Sequence, residues 1–72
     1  MAQRRRYPEA LRIADGALRK FGQNQPMAHF IRGVALEGLG RRAEAKQAYQ
    51  TYLKQKPDGK HADKVRQKIQ TL

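Results

Sequence analysis

Apolar residues return at intervals of three and four along most of this 72-residue chain, the spacing of amphipathic α-helices. Between Met27 and Leu39 the repeating positions are Met27, Phe30, Ile31, Val34, Ala35 and Leu39. Pro26 suits the first turn of that helix, where its missing N–H has no intrahelical partner. Gly38 and Gly40 bracket its end, in the place where a left-handed cap favours glycine. The period resumes after Arg42 with Ala45, Ala48, Tyr49, Tyr52 and Leu53, and it stops before Pro57. Upstream, Tyr7, Ala14, Leu18 and Phe21 supply one apolar side; downstream, Ala62, Val65, Ile69 and Leu72 supply another, with Asp58 as the expected N-cap. Helices are therefore expected near 8–21, 26–39, 42–56 and 60–71. Connections this short force neighbours antiparallel, so the expected fold class is all-α, built from helical hairpins.

Particular small and large residues sharpen that picture. Gly33 and Ala45 fall where two helix backbones need to approach closely, and Tyr49 is large enough to fill the groove beside them. Gly33, Gly40, Glu44-Ala45, Tyr49, Leu53 and Pro57 stand at fixed offsets within one stretch. A partial second copy lies upstream: Glu9-Ala10 matches Glu44-Ala45, Leu18 matches Leu53, and Gly22 stands where Pro57 stands, each pair 35 residues apart. These residues resemble the tetratricopeptide repeat, a helix–turn–helix unit of about 34 residues. The match departs from the family pattern at His29, where tryptophan or another large apolar residue is usual. Arg32 replaces a common leucine, Tyr52 a usual alanine, and Arg5 stands where the upstream turn glycine would be. His29 is expected at a helix interface, partly exposed.

The resemblance implies a single domain over 1–72, a short right-handed superhelical stack of about four helices. In it, 8–21 is the second helix of a partial repeat, 26–57 a complete repeat, and 60–71 a capping or next-repeat helix. Family members line their inner wall with the first helix of each repeat, which here implies Met27, Phe30, Val34 and Glu37. Arg32 is added as the candidate polar contact. Such a wall suits an amphipathic helix or an extended apolar peptide of a partner protein, and the implied role is a protein–protein interaction scaffold. Some members clamp a partner's terminal carboxylate with lysine and asparagine at these positions; apolar residues stand here instead. Solenoids need about three repeats for stability, and this chain holds fewer. Either the C-terminal helix caps the stack well, or the first helix meets a partner: a second copy of the chain, or the rest of a longer array, in which case the chain only continues a larger stack.

Charge adds a second reading. Sixteen Lys and Arg against six Asp and Glu leave a formal +10. Residues 1–40 carry seven basic and three acidic groups, a net +4, and residues 41–72 carry nine and three, a net +6. Such an excess suits the solvated sides of amphipathic helices, and it also attracts acidic peptides, phosphates or nucleic acid. A basic patch of Arg4, Arg5 and Arg6 with Lys60, Lys64 and Lys68, the lysines four apart on one helix face, carries the alternative that the chain binds nucleic acid through phosphates. No aromatic residue lies outside the apolar stripes to stack bases.

Enzyme chemistry finds no foothold. The chain has no serine and no cysteine, and Thr51 and Thr71 have no histidine near in sequence. His29 and His61 sit on different expected helices, and a metal would need three or four ligands, so neither cofactor nor metal is expected. No apolar run approaches the roughly 18 residues of a membrane span, and no apolar stretch follows the basic N-terminus as a secretory signal requires. A soluble chain without a targeting segment is the expectation.

Overall fold

The computed structural model describes residues 6–72 and contains four helices: α1 (Arg6–Phe21), α2 (Pro26–Gly38), α3 (Arg42–Gln55) and α4 (Ala62–Thr71). No strand occurs among the described residues. Arg4 and Arg5 lie outside them. Successive helices pack antiparallel: Tyr7 of α1 meets Gly38 of α2, and Gly33 and Phe30 of α2 meet Tyr49 and Tyr52 of α3. α2 is the shared helix, in contact with α1 on one side and α3 on the other.

A three-residue turn, Leu39 to Arg41, joins α2 to α3. Gly40 adopts φ 80°, and its N–H donates to the Glu37 carbonyl while the Arg41 N–H donates to that of Leu36. Two carbonyls left open at the helix end are satisfied, and only glycine takes this backbone without strain. Gly38 has a different task. An added Cβ there would lie 2.5 Å from the Tyr7 ring, so Gly38 is a seat for α1 rather than a cap.

The core is the seam of α2, α3 and α4. Leu36, Ala45, Tyr49 and Val65 are fully buried, with Ala48 and Tyr52 nearly so. Leu36 does not belong to the apolar stripe expected for α2, yet it is its most buried large residue. The reason is that α2 is gripped from two sides, so its buried arc is wider than a single stripe. Phe21 departs the other way: it lies at the end of α1, 64% exposed.

α4 begins later than the apolar period suggests. Residues 57–61 form a turn, and no side chain caps α4, so Asp58 is not its N-cap. Tyr52 sets the start instead: its hydroxyl accepts the His61 N–H at 3.3 Å and rests on Gly59. Lys60 consequently precedes the helix and shares no helical face with Lys64 and Lys68. Once started, α4 runs parallel to α2. His61 stacks on Phe30 with ring centroids 4.5 Å apart, and the Lys68 ammonium bonds Glu37 at 3.1 Å. Both pairs are 31 residues apart.

Two glycine substitutions test this packing in opposite directions. A Cβ at Gly33 would lie 2.6 Å from a ring carbon of fully buried Tyr49, whereas one at Gly16 would meet open space. Gly33→Ala should lower stability by about 1–2 kcal/mol, overpacking outweighing the gain in helix propensity. Gly16→Ala should raise it by about 0.5–1 kcal/mol. Thermal melts followed by circular dichroism compare the two; stabilisation by both would rule out the Gly33–Tyr49 seat.

Candidate functional site

α2 carries two chemically different faces, because its two neighbours leave a strip uncovered on each side. On the first face Met27 and Ile31 are exposed, at 53% and 38%, and Phe30 and Val34 are half-buried. Together with Tyr7, Ala10 and Ala35 of the α1–α2 seam, Phe30, Ile31 and Val34 line an apolar hollow of about 230 Å³, with Arg6 at its edge. Three of the expected interaction residues, Met27, Phe30 and Val34, are thus on one side of the molecule. Phe30 serves the core as well: beyond His61 it packs at tilted angles on Tyr49 and Tyr52, with centroids 6.3 and 5.6 Å away. Ile31 and Tyr7 belong to this surface although the repeat pattern does not point to them. Their signal is exposure beside a groove, which periodicity does not carry.

Glu37 stands one turn further along, half-buried and engaged through one oxygen. One of its carboxylate oxygens accepts the Tyr49 hydroxyl at 2.8 Å and the Lys68 ammonium at 3.1 Å. Three helices meet at this oxygen. Glu37 is therefore a structural anchor through this oxygen, and Lys68 is drawn out of the basic patch into the same knot. Burial pushes the Tyr49 phenol well above the ordinary tyrosine range, and the hydrogen bond and negative charge of Glu37 add to the shift.

The second face of α2 is polar. Arg32 lies here, separate from the other expected contact residues, and its Nε donates to Asp15 of α1 at 2.8 Å. Position decides this: Arg32 and Phe30 are two residues apart, about 200° around a helix. His29 shares the face but is only 5% exposed, more buried than expected. Its Nε2 lies 2.8 Å from the Gln23 carbonyl, which can only accept, so that nitrogen carries the proton. The Gln55 amide donates to the same carbonyl at 2.8 Å, tying the α1–α2 loop to α3. Between α1 and α3, above His29 and Arg32, opens a cleft of about 840 Å³.

The other described members of the expected basic patch do not gather. Arg6 opens α1 at the end of the molecule where α2 finishes, Lys60 lies in the turn at the opposite end, and Lys64 is exposed on α4. Ile13 and Phe21 of α1 are 65% and 64% exposed, on the helix expected to meet a second copy or a longer array. Among the described residues no three His, Asp or Glu side chains converge as metal ligands, and no helix is long and apolar enough to cross a membrane.

Comparison with known proteins finds no family model, curated protein or solved structure that matches the chain. The repeat resemblance accordingly rests on the residues and the order of helices alone.

The Tyr49 shift sets a pH dependence. An unfolded chain ionises Tyr49 near pH 10, the ordinary tyrosine value, while the folded chain holds its proton well above that. Its contribution is complete below pH 10 and is lost as pH rises further. Tyr49→Phe should cost about 1 kcal/mol at pH 7 and make the decline above pH 10 shallower. Urea melts at pH 7, 9 and 10.5 measure both; equal slopes in the two proteins would exclude Tyr49 as the source.

Proposed function

We propose that this chain is a protein-interaction module of the helical-repeat type, and that it acts by binding rather than by chemistry. The reading rests on the apolar strip of Met27, Phe30, Ile31 and Val34 on α2, in which Met27 and Ile31 are exposed and Phe30 and Val34 are left half-covered by the neighbouring helices. Large apolar side chains grouped around a hollow, on a chain rich in charge elsewhere, are the usual mark of a contact surface. The tetratricopeptide resemblance supports the same assignment, since the corresponding wall is where members of that family take their partners.

The occupant that fits is an acidic amphipathic helix of a partner protein. Its apolar side would lie along α2, with one large residue entering the hollow between Tyr7, Ala10 and Val34. Its acidic side would face Arg6 and the general excess of positive charge. Phe30 contributes through the shape it gives the floor, because most of its ring is spent on His61, Tyr49 and Tyr52. Arg32, on the opposite face, takes no part. The alternative of phosphate-mediated nucleic-acid binding loses support, since Lys68 is bonded to Glu37 and Lys60 and Arg6 are at opposite ends.

The test uses a synthetic acidic peptide with leucines at helical i, i+3, i+4 and i+7 positions, titrated into isotopically labelled protein. Amide shifts should concentrate at Tyr7, Ala10, Met27, Ile31 and Val34. Ile31→Lys should weaken the affinity at least tenfold with helicity unchanged, because Ile31 is exposed and outside the core. Shifts scattered over the surface, or an Ile31→Lys protein that binds as well as the parent, would rule the surface out.

A further inference from the structure

The cleft on the other side of α2 is a larger feature than the apolar hollow and has a different chemistry. α1 contributes Asp15, Leu18 and Arg19, α2 forms the floor with His29 and Arg32, and α3 supplies a stripe of Gln47, Gln50, Thr51 and Lys54. At about 840 Å³ it is within the range of ligand-binding clefts. We propose that it is a second binding site, for an extended acidic peptide segment.

Three observations carry this. The first is the floor. In a stack of three helices the groove between the outer two is normally closed by large apolar side chains of the middle one. His29 and Arg32 stand at those places, and they are two of the positions where the chain departs from the repeat pattern. Leu18 and Ala48 are the only aliphatic residues of the lining. The cleft is open because its floor is polar.

The second is charge. Arg19, Arg32 and Lys54 face a single carboxylate, Asp15, which leaves the lining with an excess of two positive charges. Asp15 takes the Nε of Arg32, and the terminal amino groups of that guanidinium have no other acceptor among the described residues. Its salt bridge therefore fixes the side chain while leaving its fork of donors presented, which is how arginine receives a carboxylate. Arg19 and Lys54 have no acidic partner among the described residues.

The third distinguishes a peptide from other anions. The side-chain amides of Gln23, Gln47 and Gln50 offer acceptors as well as donors, and Asp15 is itself an acceptor. The phosphodiesters of a nucleic acid have no donor to offer these acceptors, whereas a peptide backbone presents an N–H at nearly every residue. No Phe, Tyr or Trp lines the cleft, and its one imidazole, His29, is only 5% exposed, so nucleobases find no open stacking surface there. A strand-like segment with glutamate or aspartate at alternate positions satisfies both sets of groups: carboxylates toward the cations, backbone amides toward the glutamines.

The inference stands independently of the apolar surface, and its test uses a probe without apolar side chains. A fluorescein-labelled peptide of alternating glutamate and glycine is titrated with the full chain, followed by anisotropy at about 50 and 150 mM salt, where screening weakens exposed charge pairs. Saturable binding is expected. The double substitution Arg19→Glu, Lys54→Glu should reduce affinity at least tenfold, while Lys60→Glu, Lys64→Glu, an equal change of charge elsewhere, should alter it less than threefold. All four residues are exposed, so folding is retained and circular dichroism verifies it. Equal losses from the two pairs would reduce the effect to net charge and overturn the site. So would an absence of saturable binding at 50 mM, or tighter binding of a single-stranded oligonucleotide that is weakened by the same two cleft substitutions.

Discussion

The ring of Tyr49 lying against the bare backbone of Gly33 is the contact on which the rest of this structure depends. It brings α2 and α3 together at a distance that no Cβ on α2 would permit, and it buries the largest side chain of the core completely. Close approach then brings the Tyr49 hydroxyl to Glu37, and through Glu37 to Lys68 of α4. The same motif recurs in weaker form at the other helix junctions, with Tyr7 on Gly38 and the Tyr52 hydroxyl on Gly59. Each of the three tyrosines sits on a glycine. Interlocking rings and bare backbone let a chain this small, whose core is otherwise rich in alanine, pack four helices.

The division of α2 into two faces follows from that geometry. A helix held on both flanks has two strips left over, and here they differ in kind. Met27, Ile31 and Val34 leave one apolar, while His29 and Arg32 make the other polar and charged. The whole body is 32 × 31 × 20 Å, and its thinnest dimension is about two helix diameters, so neither strip is far from solvent. A single thirteen-residue helix thereby presents two surfaces of opposite chemistry.

Helices and turns were legible in the sequence because they depend on local rules: apolar period, Pro26 at a helix start, Gly40 at a helix end. The closeness of Gly33 to Tyr49 was legible too, since a small and a large residue at those offsets leave few other arrangements. Contacts that depend on where a third helix falls were not. Nothing in the spacing of Asp15 and Arg32 announces their ion pair, and Lys68 looked like a free surface charge until α4 was set parallel to α2. The late start of α4 escaped for a related reason: Asp58 is a good cap in isolation, but the Tyr52 hydroxyl reaches the turn first. Of the candidate surface, Met27, Phe30 and Val34 follow from the resemblance to the repeat, while periodicity marks Ile31 and Tyr7 as apolar without placing them on this surface. Ile31, Tyr7 and the polar cleft required the neighbours.

The three-residue turn around Gly40 also bears on how the chain acquires its shape. The core pairs of α2 and α3 are separated by few residues, 16 between Gly33 and Tyr49 and 22 between Phe30 and Tyr52. Closing so short a loop costs little chain entropy, and the remaining helices join to sequence neighbours. Topologies dominated by such near contacts belong to the rapid end of the folding spectrum, roughly microseconds to milliseconds. The α2–α3 hairpin can therefore form from its own contacts, with α4 docking onto it afterwards through His61 and Lys68.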